Sequence, residues 1–336
     1  MSIKVSAPGK IHISGEHSVV YGQPALLAAI NKRVFIKINK RKDKLIKLED
    51  KKLKTVDLLS FSQIRQFSFM NKKAWKSNDS FALLKVGINK IYGALEKKPM
   101  SGFDLIINSQ IPIGSGLGSS AALSCALTAA IFLFEGESLD LNSVNNIAFE
   151  IEKLQHGNPS GGDNTISCFG GFLKFIKKEN IFEFSKLKCK KKLLNFLLVN
   201  SGKPMESTGE MVEMVFNKSE SFKTKKIIND LGKLTKKIIK NLESNDFKSF
   251  KILISENEKL LEKLDVVGKK AKIIIAKIFK QNSAAKICGA GGVKTGSGMI
   301  LAYSLQPEKL REMLTNNNLS FINIKLGSQG VRVEKD

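Results

Sequence analysis

The stretch Ile111-Pro-Ile-Gly114-Ser115-Gly116-Leu117-Gly118-Ser119-Ser120-Ala121-Ala122 constrains this chain more than any other. It lies between an apolar-leaning run from Phe103 to Ile107, the pattern of a strand, and a long apolar run opening at Ser119, the pattern of a helix. Glycines let a backbone approach an anion closely and turn its N–H groups inward. The helix start behind them adds roughly half a positive charge and free donors. The segment therefore reads as a phosphate site. A Walker A loop needs Lys before its last Ser or Thr, and a dinucleotide-binding turn needs Gly where Ser119 stands, so neither fits. Ser119 and Ser120 are placed to cap the helix, and a hydroxyl beside bound phosphates is suited to help hold Mg2+.

The chain around this loop is long enough, at 336 residues, to bury one large core or two moderate ones without staples. Cys125, Cys168, Cys189 and Cys288 are far apart and form no CxxC pair, which argues against a metal site or a disulfide framework and for a reducing, cytoplasmic setting. The N-terminus alternates polar and apolar residues and lacks the pattern of a signal peptide, and the run from Ala121 to Phe134 is too short to cross a bilayer. A soluble protein is expected, with no membrane partner. The net charge of +24 is compatible with nucleic acid, an anionic surface or anionic substrates. Its lysines crowd residues 37–54 and 186–192 without interleaved aromatics or any recognition motif, so a solvated Lys-rich surface is expected and nucleic acid is not.

Strand patterns at Ile3 to Ala7, Val34 to Ile38, Phe103 to Ile107 and Phe172 to Ile176 alternate with helix patterns at Ser119 to Phe134 and Ser143 to Gln155. The second helix carries Val144, Ile147, Ile151 and Leu154 on one stripe and is expected to stop at Gly157. A hairpin is expected around Lys177 to Asn180. Beyond the strand at Leu193 to Val199 the pattern is helical up to Phe279. Four later strands, Ala284 to Cys288, Ser297 to Tyr303, Phe321 to Lys325 and Val331 to Val333, are expected to form a small antiparallel sheet backed by those helices. The expected division is 1–185 and 186–336, although no linker composition marks it.

Two further segments carry chemistry. Ala7-Pro8-Gly9-Lys10 with Gly15-Glu16-His17-Ser18 begins at a strand end, where Lys10 can place an ammonium near a reacting oxygen. Glu16 and His17 can hydrogen-bond a hydroxyl or carboxylate of a small substrate. The stretch from Glu152 to Asn164 puts two carboxylates, Glu152 and Asp163, on either side of a tight loop. Such a pair can meet at a metal–phosphate site, one binding Mg2+ and the other taking a proton, though Glu150 is an equally available acid. The glycine-dense Gly289-Ala290-Gly291-Gly292 does not open a helix, and a tight hairpin is its plain explanation.

Taken in order, these segments resemble the GHMP small-molecule kinases over nearly the whole chain, and most closely the branch that phosphorylates mevalonate. The likeness rests on Pro8-Gly9-Lys10 with Gly15-Glu16-His17, on Gly116 to Ala122, and on His156-Gly-Asn-Pro-Ser-Gly-Gly-Asp163-Asn164. It implies an α+β, two-domain fold: an N-terminal α/β domain of ribosomal-protein-S5-like type and a C-terminal ferredoxin-like domain, with the site between them. It further implies ATP-dependent phosphorylation of the primary hydroxyl of mevalonate. In that scheme Ser120 and Glu152 bind Mg2+, Asp163 is the base and Lys10 stabilises developing charge. Glu16, His17 and Asp163 contact the substrate, and Gly114 to Ala121 with Gly289 to Gly292 hold ATP. A homodimer is the family expectation. Val293-Lys294-Thr295 interrupt what is usually a continuous glycine run, and Gly162 replaces a branched residue, so those two loops depart from the pattern. Phosphomevalonate kinase and sugar-1-kinase are the alternatives within the superfamily, and a non-catalytic nucleic-acid binder is the alternative outside it.

Overall fold

The computed structural model describes residues 2–68, 79–112, 115–156, 159–178, 181–187, 189 and 193–335. Its organising element is a pair of long strands, β1 (Ser2–Ser14) and β2 (Ala25–Lys40), antiparallel from Ser2 opposite Asn39 to Ser14 opposite Leu26. Two register shifts interrupt the ladder, between Pro8 and Lys10 and between His12 and Ser14. Such bulges re-aim side chains, and both lie in the motif that carries Lys10 and Glu16.

The outer half of β2 pairs with β5 (Phe103–Ser109), which pairs in parallel with β3 (Leu45–Asp50), itself antiparallel to β4 (Thr55–Ser60). The inner half pairs with β6 (Phe172–Lys178), followed by β7 (Ile181–Leu187) in the expected hairpin. Strand β3 falls within the stretch 37–54 read as Lys-rich surface. Its alternation decides the matter, because Ile46 and Leu48 are buried while Lys47 and Glu49 lie at the surface as an ion pair. The helices α1 (Phe61–Ser68), α2 (Ala82–Ala94), α3 (Ser119–Phe134), α4 (Leu141–His156) and α5 (Gly162–Phe169) belong to the same half. Helix α3 is apolar nearly all round and buried against β1 and β2, which explains why its sequence shows no amphipathic stripe.

In the second half β8 (Leu193–Asn200), β9 (Ala284–Ile287), β10 (Met299–Tyr303) and β11 (Phe321–Leu326) form an antiparallel sheet in the order β11-β8-β10-β9. Alternate residues feed different cores. Leu197, Val199, Ile287 and Ile300 join a core with α6 (Thr208–Lys218), α7 (Phe222–Ser244), α8 (Phe247–Lys263), α9 (Lys269–Lys280) and α10 (Pro307–Asn316). Phe196, Leu198, Leu301 and Tyr303 continue the core of the first half. The two sheets join where Ile30 pairs with Leu326.

The last strand does not sit in that second sheet as expected. β12 (Arg332–Val333) returns to the first sheet and pairs with Val5 and Ser6 of β1. Buried Arg33 secures the return, donating to Ser6 O at 3.0 Å, Gln329 O at 2.7 Å and Gly330 O at 2.6 Å. A guanidinium fork that satisfies three carbonyls is worth more than two residues of strand pairing, so it fixes the tail's destination.

Candidate active site

The phosphate-type loop and the Lys10 motif are built on each other. The Lys10 amide donates to Leu117 O at 2.9 Å. A Cβ at Gly9 would lie 2.8 Å from that same oxygen, and one at Gly118 would lie 2.7 Å from Lys10 Cγ, so only glycine permits the approach at either place. Gly118, with φ 70°, is the N-cap of α3 and supplies no side-chain cap; Ser119 and Ser120 are the first helical residues instead of capping it. The first-turn amides of α3 are therefore left to other acceptors. Gly116, φ 72°, has open space where a Cβ would stand. Ser115 donates to Pro112 O at 2.6 Å, Leu117 and Ala121 are buried, and Gly114 lies outside the described residues.

Beside this loop Lys10 Nζ contacts Asp163 Oδ2 at 3.0 Å, with the lysine side chain 7 % exposed and the aspartate 40 %. Asp163 stands in the first turn of α5, where a carboxylate is favoured by the helix dipole. The sequence placed it after a turn, but the helix already begins at Gly162. There the space is tight: a Cβ would meet Leu27 Cδ1 at 3.1 Å and Ser160 Oγ at 3.3 Å, which accounts for glycine in that position.

Glu152, on α4, is buried and accepts from Ser120 Oγ at 3.0 Å and from Ser124 Oγ at 3.2 Å. Burial, then the neighbouring Asp163 charge, raises its pKa to about 7, opposed by the two hydroxyls and by Lys10. Two carboxylates against one lysine leave a local negative excess beside an anion-binding loop, an arrangement suited to a cation. Glu150, the other acid considered, faces solvent and pairs with Lys153 at 2.6 Å.

Glu16 and His17 do not form a surface pair. Both are buried. Glu16 Oε1 accepts from Lys286 Nζ on β9, and His17 Nε2 lies 2.9 Å from Ala290 O. A carbonyl only accepts, so Nε2 carries the hydrogen; burial lowers the ring's pKa, leaving Nδ1 an acceptor. His17 has φ 59° and ψ −45°, a conformation that costs about 1–3 kcal/mol and that the surrounding contacts must impose. Gly289 to Gly292 thus lie against the first motif through Ala290. The interrupting Val293 and Lys294 are braced by Glu206 Oε1, which accepts their amides at 3.2 and 2.9 Å, and Thr295 Oγ1 donates to Lys203 O at 2.9 Å. The departure from a glycine run is a held loop.

Lys286 and Ser124 were missed from sequence. A lysine inside the apolar run Ala284-Ala285-Lys286-Ile287 was the available signal for the first; a serine on an all-apolar helix was a weak one for the second. Among the described residues no cluster of three or more His, Cys, Asp or Glu side chains is poised to hold a metal. A cavity of about 1060 Å³ lies between α1, α2 and α4 and is lined by none of these site residues. The convergent charges, and not the volume, locate the site.

Comparison with known proteins gives the family. The family model for the GHMP kinases N terminal domain matches residues 86–171. A mevalonate kinase of Pyrococcus furiosus is 32% identical, covering 94% of this chain and 92% of its own length. The solved mevalonate kinase of Methanococcus jannaschii superposes with a TM-score of 0.82 at 25% identity, covering 98% of each chain. That of L. major, solved in complex with R-mevalonate, shares the fold with a TM-score of 0.78 at 19% identity, covering 97% of this chain and 96% of its own. The two-domain α+β architecture is that of the GHMP kinases, and this chain belongs to their mevalonate kinase family.

Proposed function

We propose that the protein transfers the terminal phosphoryl group of ATP to the primary hydroxyl of mevalonate, giving 5-phosphomevalonate and ADP, with the Lys10–Asp163–Glu152 cluster as its reacting centre. The observation that carries this reading is the 3.0 Å contact between Lys10 and Asp163 at the mouth of the glycine loop. Phosphoryl transfer asks mainly for positioning and for charge stabilisation around the moving group. Asp163, part-exposed, accepts the proton of the substrate hydroxyl. Lys10 lowers the cost of negative charge on that oxygen and holds the carboxylate in place. Residues 115–118 and the α3 amides receive the phosphates, and Gly289 to Gly292 close the site from the second half. A division near residue 185 would put the acids and the glycine loop in one unit and Lys286 with the second loop in the other, with the substrate between.

Glu152 and Ser120 fit Mg2+: a buried carboxylate with a raised pKa gains from a nearby cation, and Ser120 Oγ is already directed at it. When bound, Mg2+ would supply charge neutralisation of the phosphate oxygens. Glu16 and His17 are assigned to mevalonate.

The test is ADP release with Mg-ATP against mevalonate, phosphomevalonate, galactose, homoserine and no acceptor. Mevalonate-dependent turnover that is lost with EDTA and falls in Asp163→Asn is the expected result. Turnover of another acceptor in its place would overturn the substrate and leave the reaction class standing.

A further inference from the structure

Lys286 is fully buried in the middle of an apolar strand, an expensive place for an ammonium. Its Nζ donates to Glu16 Oε1 and, at 2.6 Å, to Ile287 O. Glu16 lies 270 positions earlier, on the turn that follows β1, so the pair ties the two halves together. The other oxygen, Oε2, is buried and has no hydrogen-bond partner among the described residues. His17 repeats the pattern: Nε2 is fastened to Ala290 O, and Nδ1 is buried without a partner. Each residue is held through one atom by the second half and keeps a second atom that can only accept. Two such acceptors on consecutive residues suit a ligand that brings O–H donors, since buried acceptors left without a donor are costly.

We propose that Lys286 is a positioning residue for substrate recognition: by holding Glu16 Oε1 it aims Oε2 at a hydroxyl of the acceptor substrate. This rests on the assignment of Glu16 to mevalonate made above. Neither Lys10 nor Asp163 is fastened by Lys286, so its effect falls on acceptor affinity and not on ATP. A purely structural pair would disturb both substrates alike.

The experiment measures kcat and both KM values for the full-length enzyme and for Lys286→Met, Glu16→Gln and the double variant, with thermal unfolding alongside. Lys286→Met is expected to raise the mevalonate KM about 10- to 100-fold and to leave the ATP KM within about twofold. The double variant should bind mevalonate no worse than Glu16→Gln alone, because the lysine acts through a carboxylate already removed. It should also unfold at a higher temperature than Lys286→Met, having no unpaired buried charge. Equal rises in both KM values, or losses that add in the double variant, overturn the proposal. If Lys286→Met does not fold, the double variant decides by the same comparison with Glu16→Gln. If Glu16→Gln raises the mevalonate KM and Lys286→Met does not, the proposal alone falls. If Glu16→Gln has a normal mevalonate KM, the assignment of Glu16 to substrate falls and the proposal with it.

Discussion

The site contains two lysine–carboxylate pairs of the same chemistry in different surroundings. Lys10–Asp163 has an aspartate 40 % exposed, while Lys286–Glu16 is exposed by 0 % and 2 %. A part-exposed carboxylate exchanges partners cheaply, since solvent offsets what the ion pair supplies. A fully buried one does not, because either charge left alone has no solvent to turn to. The first pair is therefore suited to moving a proton and the second to fixing geometry. The same sequence feature, an acid that meets a lysine, is suited to reaction in one place and to registry in the other.

The sharpest way to break this contrast is Asp163→Asn. Its expected effect is a 10²- to 10⁴-fold drop in kcat, about what removal of a general base costs, with a smaller loss of unfolding free energy than the fully buried pair would show, because Glu152 remains near Lys10. Steady-state kinetics and denaturant titration check the two halves of the statement, and a near-normal rate would remove Asp163 from its role. Lys286→Met should show the opposite balance in stability, losing about 3–5 kcal/mol in a urea titration because Glu16 is left buried and unpaired. A loss as small as that of Asp163→Asn would erase the distinction between the pairs.

Glu258 sharpens the buried side. It is fully buried on α8, accepts from the Ile287 amide at 2.9 Å, and burial raises its pKa from 4.5 to about 7. The folded state thus holds the proton more tightly than the unfolded chain. Its stabilising share is complete below about pH 4.5, is lost as pH rises, and is gone above about 7. Glu258→Gln should remove that loss, so its stability relative to the parent should climb by about 3 kcal/mol between those limits. A difference that stays flat with pH would show that Glu258 titrates normally. The smallest effect is expected at Glu150→Gln, which breaks an exposed pair: within about 0.5 kcal/mol in stability and no change in kcat. A large kinetic effect there would exchange the roles of Glu150 and Glu152.

Much of the fold was legible where local rules act alone. The helix at Ser119–Phe134 and the strand at Leu193–Asn200 stand close to where apolar runs and bounding residues put them. Strand β3 was hidden because Lys47 and Glu49 hold its outward positions and mask the alternation beneath, while its partner β4 turns Val56 and Leu58 outward and so lacks a clean pattern. Helix α5 was hidden because its Gly161-Gly162 start reads as a turn. The fate of β12 was not legible at all: two residues have no pattern, and Arg33 decides it from almost 300 positions away.

The sequence by itself determined the chemical inventory of the site and the backbone freedom it needs. Glycines at 9, 116 and 118, a lysine after Pro8-Gly9, and an acid at each end of the Glu152 to Asp163 stretch are all local facts. Only the tertiary structure decided the pairings: Glu152 and not Glu150 beside Asp163, Ser120 and Ser124 against Glu152, and Lys286 behind Glu16. The reason is physical. Backbone conformation depends on neighbours along the chain, whereas an ion pair or a hydrogen bond depends on distance and burial, which packing sets between residues hundreds of positions apart.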